Sequence, residues 1–187
     1  MRPATYGASR KLKRGHMFRA LFARLTGGPK RGQALFGRAV RVASETHWFL
    51  GGKVPDTVNG RFAVLATVVA LITVRLERDG EAGREATVAL TERLVETLDA
   101  EIREMGLGDP TLGKQVRKLV GAVGGRVERW RAILGSDEPW TTEVQRSVYG
   151  DDVVAPDALA HTESELRGLW SELESSSFEN LSEGKMQ

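Results

Sequence analysis

The glycine-rich segment at residues 106–114, GLGDPTLGK, is the stretch whose residue types come nearest to a binding chemistry. A glycine-rich turn that places a lysine at a helix N-terminus can hold a phosphate group through backbone N–H donors. The phosphate-binding loop of nucleotide hydrolases, however, has Ser or Thr directly after its Lys and follows a strand. Gln115 follows Lys114 here, and no strand pattern precedes the segment. The sequence therefore argues against nucleotide binding.

Metal and nucleophile chemistry have few candidate residues in this chain. There is no Cys, which excludes disulfides, thiolate catalysis and Cys-ligated metals. The histidines His16, His47 and His161 lie far apart in the sequence, and we identify no metal-type spacing to a second histidine or a carboxylate cluster. His47 falls in the last turn of a predicted helix, where a lone histidine is typical of a surface or helix-dipole role. We therefore predict no metal, no cofactor and no catalytic residue.

Acidic side chains decorate a predicted helix at residues 85–105. Paired carboxylates can carry general acid/base catalysis, but on an amphipathic helix they usually form the solvent-exposed face. These side chains are Glu92, Glu96, Asp99, Glu101 and Glu104. Aromatic residues make up only 6% of the chain, so a platform for stacking nucleic-acid bases is poorly supplied. We expect no enzymatic activity and no DNA partner.

The element that must position everything else lies at residues 54–76, VPDTVNGRFAVLATVVALITVRL. Val, Ile and Thr favour strands, but the uninterrupted apolar run is longer than a usual strand and shorter than the ~20 apolar residues of a membrane span. We predict a helix buried on nearly all sides. Asp56 or Thr57 can cap its N-terminus, and Gly80 can end it.

Apolar residues at helical spacing predict further helices around this central one. They cover residues 33–50, 85–105, 109–134, 139–149 and 156–173. Gly121 and Gly125, one turn apart, predict close approach by another helix, either this chain's own central helix or a partner. The predicted fold class is all-α, a single compact helical domain around a buried central helix.

Charge is distributed unevenly along the chain. Residues 1–44 hold eleven Lys and Arg and no acid, residues 45–136 hold thirteen of each sign, and residues 137–187 hold three basic and twelve acidic residues. Blocks of one sign are usually solvated extensions. We expect a basic N-terminal extension at residues 1–32, an all-α domain at residues 33–174 and a disordered tail at residues 175–187.

A short basic amphipathic pattern lies at residues 17–25. Phe18, Leu21, Phe22 and Leu25 recur at helical spacing beside arginines, which suits an anionic membrane surface. We predict membrane contact by these four side chains, with packing on the domain as the alternative. An arginine-rich, acid-free start also describes a mitochondrial transit peptide.

Several segments in order resemble the ubiquinol–cytochrome c chaperone family, over about residues 34–173. They are Val54-Pro55-Asp56-Thr57, Gly60-Arg61-Phe62, Arg75-Leu76, Arg103-Glu104-Met105-Gly106-Leu107-Gly108-Asp109, Gly113-Lys114, Gly125-Arg126 and Tyr149-Gly150. The segment that begins at Met17 is similar to the start of bacterial members, which implies Met17 as an alternative translation start. The chain departs from the family pattern at Val68, where a His is common, and at Trp130, where a Tyr is usual.

The resemblance implies a non-enzymatic chaperone that binds newly made cytochrome b and promotes assembly of the cytochrome bc1 complex. It also implies a ribosome or a small co-chaperone as possible further partners, in the bacterial cytoplasm at the inner membrane or on the matrix side of the mitochondrial inner membrane. We predict that the client binds two segments that face each other. Their residues are Pro55, Asp56, Thr57, Gly60 and Arg61, and Gly108, Asp109, Lys114, Arg117 and Lys118.

Simpler explanations exist for each of these residues. Asp56, Thr57 and Asp109 are suited to capping helices, and Arg61 can pair with Asp56 or Asp109. A different function is also open, because the basic residues 2–41 could serve an RNA- or ribosome-binding module whose affinity would fall steeply with salt.

Overall fold

A computed structural model of the chain describes residues 32–104 and 109–185, with side chains described outside residues 102–112. The helices in this part are α1 (Gln33–Ala43), α2 (His47–Leu50), α3 (Val58–Leu76), α4 (Gly80–Glu104), α5 (Asp109–Leu134), α6 (Thr141–Val144), α7 (Pro156–Ser175) and α8 (Phe178–Ser182). A 3-10 turn (Glu77–Asp79) joins α3 to α4, and a π-helical turn (Gln145–Tyr149) follows α6. The described residues contain no strand, which confirms the all-α prediction.

The central helix α3 is the predicted buried element. Its N-cap is Thr57, whose side chain accepts a hydrogen bond from the Gly60 N–H. Helices α1, α4, α5 and α7 pack around it together with the π-helical turn, and the residues of its middle turns, from Val64 to Ile72, are at most 4% exposed. The prediction of a helix covered on nearly all sides is therefore confirmed.

Length alone does not exclude a membrane span for α3, contrary to the sequence argument. The helix has 19 residues, and one segment of the described chain, within Val58–Glu101, is long and apolar enough to cross a membrane by composition. The apolar window of that segment is 67% buried inside the domain. Burial by its own neighbours identifies α3 as a core helix.

Arg75 ties the end of α3 to the end of α7. The residue is only 7% exposed, and its Nε and Nη2 donate to the backbone carbonyls of Leu173 and Ser176 at 2.9 and 2.7 Å. Its Nη1 donates to Asp79 Oδ2 at 2.7 Å. A buried guanidinium is tolerated because carbonyls and a carboxylate satisfy its donors. The last carbonyls of α7 thereby gain partners that a helix C-terminus otherwise lacks.

Tyr149 forms a second buried tie, between the π-helical turn, the turn after α2, and α7. Its hydroxyl donates to the Gly52 carbonyl at 2.5 Å and lies 2.6 Å from Thr162 Oγ1. Burial raises the pKa of the Tyr149 phenol, and the hydrogen bond with Thr162 opposes this shift. A Cβ at Gly52 would lie 2.4 Å from Thr162 Oγ1, so only glycine fits beneath α7 here.

The predicted helix at residues 33–50 is wrong in its middle, because α1 ends at Ala43 and α2 begins at His47. Trp48 is buried to 1% exposure, and its Nε1 donates to the Val42 carbonyl at 2.7 Å. One continuous helix would have placed Leu50 on the core stripe, but Leu50 is 69% exposed. The break after Ala43 allows the Trp48 indole to turn back onto the Val42 carbonyl and be buried in the core. Similarly, the predicted helix at residues 139–149 has only one α-helical turn before the π-helical one.

The expected disordered tail beyond residue 175 is replaced by an ordered segment. Helix α8 begins after Ser177, whose side chain accepts from the Asn180 N–H, and its Leu181 is fully buried. Gly184 packs so closely on α1 that a Cβ there would lie 2.5 Å from the Ala34 carbonyl oxygen. The segment is too short to form a helix by itself, and its burial supplies the stability that its sequence pattern did not show.

We expect Tyr149→Phe to lower the free energy of unfolding by roughly 1 to 3 kcal/mol, because the buried Gly52 carbonyl and Thr162 hydroxyl lose a partner. Urea unfolding followed by circular dichroism measures the change. Phe keeps the packing of the ring, so the loss reports the hydroxyl alone. A variant as stable as the wild type would contradict the assigned tie.

We expect Leu181→Ala to lower the free energy of unfolding by roughly 2 to 5 kcal/mol, because it removes a fully buried side chain and leaves a cavity. The matched control is Leu50→Ala, which we expect to change stability by less than about 0.5 kcal/mol because Leu50 is largely exposed. Equal effects of the two variants in urea unfolding would show that α8 does not belong to the core.

Candidate functional site

The first predicted half of the partner site, residues 55–61, shapes the N-terminus of α3. Thr57 is its cap, and a Cβ at Gly60 would lie 2.1 Å from the Pro55 carbonyl oxygen. Arg61 forms an ion pair with Asp56, and its guanidinium lies 4.6 Å from the centre of the Phe49 ring. The capping and pairing roles that the sequence allowed for these residues are therefore present. Of the five predicted residues in this half, Pro55, Asp56 and Thr57 are exposed, whereas Gly60 is buried and Arg61 is partly buried.

The second predicted half lies on α5, and the structure describes part of it. Gly108 lies outside the described residues, and Asp109 begins α5 with a side chain that is not described. Lys114, Arg117 and Lys118, here called the basic ridge, are all exposed. They occupy positions i, i+3 and i+4 and therefore share one face of the helix.

The basic ridge has no ion pair within the part of the chain that the structure describes. Many other cations of the domain are paired, for example Arg131 with Glu77. Like charges at these spacings repel each other by a few tenths of a kcal/mol on a helix. The repulsion remains within the free protein and would be relieved by an anionic partner, so the ridge is suited to binding one.

Further along α5, the same face of the helix carries glycines in place of cations. Gly121 and Gly124 are exposed, and a Cβ at either would meet nothing within 4 Å among the described atoms. A Cβ at Gly125 would meet only Nη1 of Arg129, at 3.2 Å. The described part of the chain therefore places no second helix, including the central helix α3, against Gly121 and Gly124. Lys114, Arg117, Lys118, Gly121 and Gly124 are called the open face of α5 below.

The two predicted halves lie toward the same end of the domain. The Ser147 carbonyl accepts from Nη2 of Arg126 at 2.7 Å and lies 3.5 Å from the hydroxyl of Thr67, which links the middle of α3 to the second half of α5. Further along both helices, Arg131 of α5 pairs with Glu77, just after α3 ends. The two helices therefore run in a similar direction, and the N-terminal half of α5 extends toward the end where α3 begins.

Arg126 anchors α5 on the opposite side from the open face. Its guanidinium is half-buried and bonds to the carbonyls of Ser147 and Ala122. Burial lowers the pKa of Arg126, the neighbouring Arg129 lowers it further, and Glu143 acts in the opposite direction. In the sequence, Gly125-Arg126 and Tyr149-Gly150 contribute only to the family resemblance. The structure assigns Arg126 and Tyr149 to holding the π-helical turn in place.

A polar cluster that the sequence analysis missed lies between α2 and α7. It contains His47, His161 and Glu165, whose potential ligand atoms all lie within 4.8 Å of one another. The signal that could have found it is the spacing of His161 and Glu165, which are four residues apart and so share one face of α7. His47 could not be added from sequence, because only the folded chain brings it there.

The predicted membrane-contacting residues cannot be placed. Phe18, Leu21, Phe22 and Leu25 lie outside the described residues, as does His16.

Comparison with known proteins agrees with this architecture. The crystal structure of the Cbp3 homolog from Brucella abortus is similar, with a TM-score of 0.69, 24% sequence identity, and coverage of 90% of this chain and 95% of that chain. At this identity the likeness shows the fold alone. No curated protein gave a significant match. A family model described as ubiquinol-cytochrome C chaperone matches residues 52–186, which is well over half of the chain. The chain therefore belongs to the ubiquinol-cytochrome C chaperone family.

Proposed function

We propose that this protein is a non-enzymatic assembly chaperone of the ubiquinol–cytochrome c reductase, the bc1 complex, and that its client is newly made cytochrome b. Membership of the chaperone family supports the assembly role. The observation that carries the client-binding part is the open face of α5, where unpaired cations and bare glycines lie side by side on one rigid helix.

The open face combines two kinds of attraction. Cations exposed at the N-terminal half of α5 attract an anionic segment over about a Debye length, roughly 8 Å at physiological salt. Glycines expose the helix backbone, so a client helix can approach it more closely than it could approach larger side chains. Neither attraction needs a chemical step, and both are reversible, as release of an assembling client requires.

The absence of catalysis is part of the proposal. The most enzyme-like arrangement in the described residues is Ser147, whose hydroxyl donates to the Glu143 carboxylate. Both residues are at most 5% exposed, and Arg129 binds the same carboxylate at 3.0 Å. A substrate has no access to this pair, and the guanidinium compensates the charge of the carboxylate. The arrangement therefore supports a structural role.

The location of the protein is also proposed. We place it in the bacterial cytoplasm, peripheral to the inner membrane, with the matrix side of the mitochondrial inner membrane as the alternative. Phe18, Leu21, Phe22 and Leu25 would contact anionic lipid there, and a ribosome or a small co-chaperone would be a further partner. These assignments rest on the amphipathic pattern and on the family, and the RNA-binding alternative has no observation in its favour.

We expect the triple variant Lys114→Glu, Arg117→Glu, Lys118→Glu to recover at least tenfold less cytochrome b in co-purification, because it replaces an attraction by a repulsion. The matched control reverses three exposed cations elsewhere, Arg84, Arg146 and Lys185, and so changes the net charge equally. We expect the control to recover the client normally. Unchanged recovery with the ridge variant would remove the ridge from the binding surface.

We expect the double variant Gly121→Ala, Gly124→Ala to stabilise the free protein by up to about 1 kcal/mol per site, because Ala favours a helix and nothing lies near either position. Gly121→Leu with Gly124→Leu should keep the fold but weaken client recovery, because the larger side chains block close approach. The control for the stability measurement is Gly80→Ala. This variant should destabilise the fold, because Gly80 has a φ of +59°. Normal client recovery with the Leu variant would contradict the role of the glycines.

A further inference from the structure

Four polar residues meet where the turn before α2 packs on α7. His47 Nε2 lies 3.0 Å from Glu45 Oε2 and 3.9 Å from Glu165 Oε2. The rings of His47 and His161 stand edge to face with their centres 5.6 Å apart. The side chains of His47 and Glu165 are 25% and 42% exposed, so the cluster is reachable from solvent.

Two ring nitrogens in this cluster lack a partner. Nδ1 of His47 and Nε2 of His161 are buried atoms with no hydrogen bond to any described residue. Buried polar atoms are normally satisfied, and each exception needs an explanation. An imidazole nitrogen that carries no proton has a lone pair for a metal ion, and Nε2 of His161 offers one when the proton of its ring is on Nδ1. At His47 the nitrogen that faces both carboxylates is Nε2, so Nε2 would be the ligand atom and Nδ1 would keep the proton.

We propose that His47, His161 and Glu165 bind a divalent transition-metal ion, with Zn²⁺ as the best fit. Two imidazoles and one carboxylate are a ligand set that Zn²⁺ takes in proteins, whereas Mg²⁺ and Ca²⁺ prefer oxygen ligands alone. Glu45 or a water molecule would supply the fourth position. The proposed ion site lies on α2 and α7, and the proposed client-binding surface is the open face of α5. The metal proposal therefore does not depend on the chaperone function.

The geometry requires only side-chain movement. Ligand atoms around a tetrahedral Zn²⁺, at about 2.0 to 2.2 Å from the ion, lie about 3.4 Å from one another. The three potential ligand atoms now lie within 4.8 Å of one another, so each pair must close by at most about 1.4 Å. Rotation of the partly exposed Glu165 and His47 side chains can supply this closure. His161 is the more constrained ligand, since a Cβ at Gly51 would lie 2.5 Å from its Nε2.

The ion would fasten two distant parts of the chain. His47 precedes the turn at Gly51 and Gly52, and His161 adjoins Thr162, which is already part of the Tyr149 tie. A metal at this point would add a second tie on α7, here between α7 and the start of α2. Because it binds only the folded arrangement, the ion would stabilise the domain by an amount that grows with the logarithm of its concentration over its Kd.

The experiment uses the tag-free, metal-stripped full chain titrated with ZnCl₂ in a calorimeter, with Co²⁺ absorption as a second readout of coordination. We expect one equivalent of Zn²⁺ to bind, a rise in Tm on binding, and Co²⁺ bands typical of a four-coordinate site. His47→Gln, His161→Gln and Glu165→Gln should each weaken Zn²⁺ binding at least tenfold. The matched control is Glu174→Gln on the same helix, with a side chain 43% exposed, which should leave the Kd unchanged.

Two results would overturn the proposal. One is no binding of Zn²⁺ or Co²⁺ by the wild-type chain, which would reduce the cluster to ion pairs of His47 with Glu45 and Glu165. The other is unchanged affinity in both histidine variants, which would place the ion elsewhere, for example at His16. Circular dichroism verifies that each variant is folded. Should His161→Gln unfold, His47→Gln decides alone, because its side chain is partly exposed.

Discussion

The structure depends on one constraint, which is that the apolar helix α3 must be covered on every side. Its middle turns are almost fully buried, and no single neighbour can cover a helix that lacks a polar face. Helices α1, α4, α5 and α7 therefore surround it, although they come from all parts of the described chain. Burial of this one helix explains why residues more than a hundred positions apart in sequence are held in contact.

The elements that cover α3 contain backbone carbonyls that need hydrogen-bond donors, and a few buried polar side chains supply them. Arg75 lies at the end of α3 and binds the last carbonyls of α7. Arg126 holds the π-helical turn against α5 through the Ser147 carbonyl, and Tyr149 holds it against the turn after α2 and against α7 through the Gly52 carbonyl and Thr162. Each of these residues belongs to a segment that resembles the family. Such segments therefore describe how the helices are fastened more than what the protein binds.

Sequence reasoning predicted the elements whose signal is local. Helices α3, α5 and α7 have long apolar patterns, and Thr57 lies at the position that its capping chemistry indicates. The sequence prediction failed where packing into the core decided the outcome. Trp48 breaks the first helix because its indole finds the Val42 carbonyl, and α8 is ordered because Leu181 finds a buried position. The site shows the same division: the basic ridge could be recognised from spacing on one helix, whereas the His47–His161 pair could not, since it joins two helices.

Helix α5 is divided between a half that is anchored in the core and a half that carries the open face, which is how one helix could serve both the core and the proposed client. Val123 and Trp130 face inward, and Arg126 and Arg131 fasten the second half of the helix to the π-helical turn and to Glu77. The open face points away from these contacts, so its residues are free of any packing duty in the described domain. Unpaired cations and exposed glycines both lower the stability of a helix, and the anchored half supplies the stability that compensates for them. A helix stabilised at one end can therefore keep, at the other end, a surface that is favourable only when something binds to it.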